Sequence, residues 1–137
     1  MGYEVLEHTA DVGLRATAGT LEALFAEATR GMAELAGVWS AGPEGEEVPI
    51  EADGRDLEGV LVEWLSETLY VHDSRNAALH RVVVEAVSDT GARGRVFVSP
   101  LSQERAEEGT QIKAITFHQL EVRHTDDGWT ARVFFDI

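Results

Sequence analysis

The sequence contains no cysteine. Disulfides, thiolate nucleophiles and zinc–thiolate sites are therefore excluded together. There is no run of about 18 apolar residues, so no membrane-spanning helix is expected. The opening residues Met1 to Val5 lack the basic and apolar segments of a signal peptide, and a cytoplasmic protein is expected. Lysine is nearly missing: Lys113 stands alone beside ten arginines. These cations are scattered along the chain, whereas phosphate backbones are held by clustered ones, so direct binding of nucleic acid is not expected. The phosphate-binding loop G-x-x-x-x-G-K-[ST], the dinucleotide fingerprint G-x-G-x-x-G, the zinc helix H-E-x-x-H and the nucleophile elbow G-x-S-x-G are all absent. An enzyme with its own nucleotide site has little to stand on.

What remains is an acidic globular chain. Its 137 residues are 44% hydrophobic and 26% charged, enough for one domain with a real core and too apolar for disorder. The net charge is −14. A cation or a basic protein partner suits that field; solubility alone is the other reading. Oligomeric state is left open.

The order of elements reads strand, strand, helix, strand, helix and then four strands. Val12, Leu14, Ala16 and Ala18 alternate with Asp11, Gly13, Arg15 and Thr17, which marks a strand with one wet face. Thr20 can cap a helix carrying Leu21, Leu24, Phe25, Ala28, Met32 and Leu35 at helical spacing, ended by Gly37. "EVPIEAD" reads as an edge strand, because Pro49 cannot donate to a ladder. Asp56 can cap a second amphipathic helix through Leu57, Val60, Leu61, Trp64, Leu65 and Leu69, ending near His72 and Asp73. "ALHRVVVEAVSD" and "RVFVSPLS" resemble a hairpin around the Gly-rich turn "TGARG", followed by a polar loop "QERAEEGTQ". The last hairpin joins "IKAITFHQLEVRH" to "WTARVFFDI" through "TDDG". Ile115 and Phe117 fall on odd positions, Leu120 and Val122 on even ones. A strand of period two cannot change phase without an added residue, so a bulge is expected near His118. Phe134 interrupts the polar face of the last strand, and a helix or partner is expected to cover it.

The chemistry concentrates at the chain's two ends. Asp136 precedes Ile137, so a side-chain carboxylate and the terminal carboxylate fall within one residue of each other. With Asp11, three oxygen donors become available, a set suited to calcium, magnesium or manganese. His8 could extend it towards a transition metal. Two readings stay open at this point: a cation site, or ordinary solvated edge carboxylates. His8 alone reads equally as a hydrogen-bonded strand histidine, His72-Asp73 as a helix stop, and Lys113 as a surface lysine. His118 gains interest from the expected bulge.

Three segments in order resemble the archease family: "EHTADVGL", "LVEWLSETLYVHD", and "GTQIKAITFHQLEV" leading through "DGW" to "FFDI". They span the length of the chain. The resemblance implies an α/β (α+β) single domain with two helices packed on a mixed, mostly antiparallel sheet, related to the strand-helix-strand-strand (SHS2) modules. It implies a protein that is not itself an enzyme but activates an RtcB-type RNA ligase in tRNA splicing and RNA repair, promoting GTP-dependent guanylylation and multiple turnover. The family's metal site maps onto Asp11, Asp136 and Ile137, the same groups the charge pattern singles out. Lys113 in "KAIT" and Asp73 in "LYVHD" match family positions without an assigned role. The chain departs from the family at Ser66, where Asn is frequent, and in the loop containing Ala106. A chaperone-like module and a stand-alone metal-dependent hydrolase, the latter with His8 or His118 as base, are the alternatives.

Overall fold

A computed structural model of the chain describes residues 1–7, 11–42, 45–101 and 109–137. Nine elements follow one another in the expected order. Two strands, β1 (Gly2–Glu7) and β2 (Asp11–Ala18), lead into the first helix. Thr20 is extended there, and its side chain accepts from the Ala23 amide at 3.1 Å, opening α1 (Leu21–Leu35). Gly37, at φ 73°, takes the left-handed conformation that ends that helix without a Cβ penalty.

After β3 (Glu46–Asp53), Asp56 caps α2 (Leu57–Arg75) by accepting from the Gly59 amide at 2.8 Å. The helix runs past His72 and Asp73 to Arg75 because Asn76 adopts φ 49° and returns its N–H to the His72 carbonyl. Replacing Asp56 with alanine is expected to cost about 1 kcal/mol. At this size that is a drop of roughly 3 °C in melting temperature, read by thermal circular dichroism.

The remaining strands are β4 (Ala77–Val87), β5 (Gly91–Pro100), β6 (Ala114–Thr125) and β7 (Gly128–Asp136). The architecture is α+β, and the strands divide into two sheets, ordered β1-β2-β7-β6 and β3-β5-β4. Every strand ladder is antiparallel; the one parallel link among the described residues is an isolated bridge from Trp39 to Leu79. Pro49 does lie on an edge strand, β3. The "TGARG" turn is corrected: the chain reverses at Ser88–Thr90, and Gly91 to Gly94 belong to β5. The loop read at "QERAEEGTQ" lies mostly outside the described residues.

Each helix touches both sheets, α1 through β2 and β4 and α2 through β3 and β6. One hydrophobic cluster fills the space between. At its centre Trp64 is fully buried; its indole N–H donates to the Thr29 hydroxyl at 2.8 Å, and Thr29 donates in turn to the Phe25 carbonyl at 2.6 Å. The indole N–H and the Thr29 hydroxyl are thus satisfied against each other and the backbone, and the buried Thr68 hydroxyl donates to the Trp64 carbonyl at 3.0 Å.

Candidate metal centre and adjoining groove

The antiparallel register of β2 with β7 sets Asp11 directly opposite Asp136. Residues 125 positions apart in the chain therefore meet at one end of the four-stranded sheet. Ala114 of β6 is the next residue along the same row, and the Lys113 amide donates to the Asp136 carbonyl at 2.8 Å, fixing the end of β7 to the start of β6. Asp136 and Ile137 are exposed, whereas the Oδ1 of Asp11 is shielded from solvent.

Period two then determines what lies behind the aspartates on the same face. Gly13 pairs with Phe134, and Arg15 with Arg132. The arginines are like charges set opposite each other, an unfavourable pairing. Each is offset from the outer strand: Arg15 meets Glu4 at 2.6 Å, and Arg132 meets Glu121 at 3.3 Å. The outer face thus carries a charge-balanced row, then an apolar layer, then two carboxylates at its rim.

The apolar layer explains Phe134. A side-chain carbon on Gly13 would sit 2.6 Å from the Phe134 ring, so glycine is what lets the ring lie flat across β2. The cover expected from a helix or partner comes instead from β6 itself. Between Thr116 and Glu121 that strand holds four residues against one on β7. These three extra residues form the predicted bulge and reverse the phase, so that Ile115 and Val122 both face the core. Gln119 sits at φ 52° within it, and the His118 ring packs edge-on against Phe134 with centroids 5.7 Å apart. His118 is therefore one layer behind the aspartate row. His8 lies outside the described residues.

Lys113 and Asp73 are brought together as well, beside the aspartates. A groove of about 270 Å³ between α2 and β6 is lined by Ser66, Tyr70, Asp73 and Lys113 among others. Tyr70 is 66% exposed there. The sequence reading passed over it, although Ser66, Tyr70 and Asp73 at i, i+4 and i+7 declare a shared helix face. Beyond Asp73 lies a second cavity of about 210 Å³, reached also by His72, Asn76 and Gln111.

Among the described residues no three His, Cys, Asp or Glu side chains gather as a ligand set. The aspartate pair supplies two carboxylates, and the third oxygen donor in reach by sequence is the Ile137 carboxylate. All-oxygen donors of this kind fit a hard divalent cation. No helix among the described residues is long and apolar enough to cross a membrane.

Comparison with known proteins gives a consistent answer. The pattern of the Archease protein family (MTH1598/TM1083) matches residues 3–137. The protein archease of Methanopyrus kandleri is 34% identical over 140 residues, covering all of both chains. That of Pyrococcus furiosus is 31% identical over 139 residues, covering 98% of each. The solution structure of protein 1598 from Methanobacterium thermoautotrophicum superposes with a TM-score of 0.73 at 28% identity, covering 99% of both chains. With its whole length matched in sequence and in fold, the chain belongs to the archease family.

Proposed function

We propose that this protein is a non-catalytic activator of an RtcB-type RNA ligase, acting in the cytoplasm in tRNA splicing and RNA repair. Its acidic rim, formed by Asp11, Asp136 and the Ile137 carboxylate, holds a divalent cation: calcium, magnesium or manganese. The observation that carries this reading is the register that sets Asp11 opposite Asp136, with Ile137 next in the chain. When bound, such an ion supplies positive charge that draws phosphate oxygens together and polarises them for nucleotidyl transfer.

The chain's own residues then have separable tasks. The two aspartates and the terminal carboxylate present oxygens at the rim of a sheet face whose arginine row is already charge-balanced. The amide of Lys113 keeps the last residue of β7 in place. The side chain of Lys113 serves the neighbouring groove, where it offers a cation to a phosphate of the nucleotide, and Tyr70 and Asp73 shape the same surface. The ligase, not this protein, provides the histidine that accepts the guanylyl group. The net charge of −14 favours encounter with a basic active-site mouth and disfavours binding RNA directly.

Adding a single residue after Ile137 tests the proposal, because it displaces the terminal carboxylate while leaving every strand intact. GTP-dependent labelling of the ligase should lose its stimulation by about ten-fold or more, the scale on which disturbed metal ligation is felt. Full stimulation by the extended chain would remove Ile137 from the site.

A further inference from the structure

We infer that Ser99 is a nucleophilic serine, with His80 as its general base, that accepts an acyl group from an activated donor with an anionic leaving group, namely an acyl phosphate. The pair belongs to the three-stranded sheet and the aspartate rim to the four-stranded one, so neither reading depends on the other.

A bulge in β4 brings the two residues together. Leu79 pairs with Val98 and Arg81 with Phe97, so His80 is the extra residue between them. Bulges of this kind bend a strand and re-aim a side chain. Here the ring turns to Ser99, whose hydroxyl oxygen lies 2.5 Å from Nε2. The other ring nitrogen, Nδ1, lies 2.5 Å from the Ser40 carbonyl oxygen. A carbonyl can only accept, so Nδ1 carries the proton and Nε2 of the neutral ring keeps its lone pair. The Ser99 hydroxyl therefore donates to Nε2. The orienting carbonyl is itself held by the backbone on both sides. The Ser40 amide donates to the Leu79 carbonyl at 2.9 Å, and the Gly42 amide to the His80 carbonyl at 3.3 Å. Nucleophile, base and orienting acceptor thus stand in the order of an activated serine.

Room for a donor adjoins the nucleophile. Ser99 lines a cavity of about 280 Å³ with Arg75, Glu46 and Gly45 among others. One guanidinium nitrogen of Arg75 meets Glu46 at 3.1 Å, which leaves its other N–H groups to a ligand. A planar fork of this kind matches phosphate oxygens. In the transfer, Oγ of Ser99 bonds to the acyl carbon while its proton passes to Nε2 of His80. The bond from that carbon to the phosphate oxygen breaks, and the departing phosphate takes the proton from His80. The products are an ester on Ser99 and inorganic phosphate.

A fluorophosphonate probe, applied to the full chain and mapped by mass spectrometry, tests the pair, because it reacts with serines that have a base beside them. Ser99 should be the labelled serine in the folded chain, and its labelling should vanish in urea. His80→Gln keeps a donor for the Ser40 carbonyl but has no basic nitrogen, and should react about 100-fold more slowly, with its fold checked by thermal circular dichroism. Acetyl phosphate should then acetylate Ser99, and Arg75→Gln should slow that step by about ten-fold. The inference is overturned if the folded wild type gains no adduct on Ser99, if other serines are labelled as readily, or if a folded His80→Gln reacts at the parent's rate. Acetylation that ignores Arg75→Gln would overturn the acyl phosphate as donor.

Discussion

Asp136→Asn is expected to abolish stimulation of the ligase while making the protein slightly more stable in the presence of a chelator. The two effects have one cause. Asp136 is exposed and faces Asp11 across the β2–β7 ladder, and like charges directly opposite each other are unfavourable by roughly 0.2–1 kcal/mol. Asparagine keeps the size and removes one of the charges, so without metal the variant should melt at the wild-type temperature or up to about 3 °C above it. Adding a divalent cation reverses the order. An ion that binds the folded state alone stabilises it by about 2.7 kcal/mol at a hundred times its dissociation constant, and only the wild type gains this. Melting curves with and without metal, run beside a guanylylation assay, check both halves. A wild type whose melting temperature ignores calcium, magnesium and manganese, together with a variant that still stimulates, would refute the rim as a metal centre.

Much of this arrangement is legible in the sequence because its signals are local. Thr20 and Asp56 announce helix starts through chemistry confined to three residues, and Pro49 marks an edge because it lacks an N–H. The shift from Ile115 to Val122 reveals the bulge, since a core face cannot otherwise move from odd to even positions. Parity has a blind spot, however. It distinguishes an odd insertion from an even one but not one extra residue from three, so the size of the excursion that carries His118 over Phe134 was hidden. Partner choice was hidden for a similar reason. Alternation says which face of β2 is buried but not that β7, rather than β3, lies beside it, so a single sheet and two sheets read alike. The family resemblance supplied what periodicity could not, by implying that Asp11 and Asp136 meet. Glycine misled in the opposite direction. Gly91 and Gly94 look like turn residues, yet Gly94 lies within β5 because its missing side chain leaves room for a neighbour.

That neighbour supplies the largest expected effect on stability. A side-chain carbon at Gly94 would lie 3.0 Å from Cη2 of Trp64 and 2.1 Å from the carbonyl oxygen of Val83 on β4. Gly94→Ala must therefore push the β4 backbone aside, just where the β4–β5 register already shifts between Val84 and Ala86. A loss of about 3 kcal/mol is expected, the upper end of ordinary overpacking. Trp64→Ala should cost about 3–5 kcal/mol through the cavity it leaves, with little added from Thr29, which still donates to the Phe25 carbonyl. Either loss is a large share of the roughly 5–15 kcal/mol that holds a domain folded. Combining Gly94→Ala with Trp64→Phe separates the two contacts. If the indole were the obstacle, the smaller ring would restore part of the lost stability. Because the closer atom is a backbone oxygen, no rescue is expected, and urea midpoints of the double variant should fall below those of either single one. A double variant more stable than Gly94→Ala alone would show that the indole, not the β4 strand, excludes a side chain at position 94.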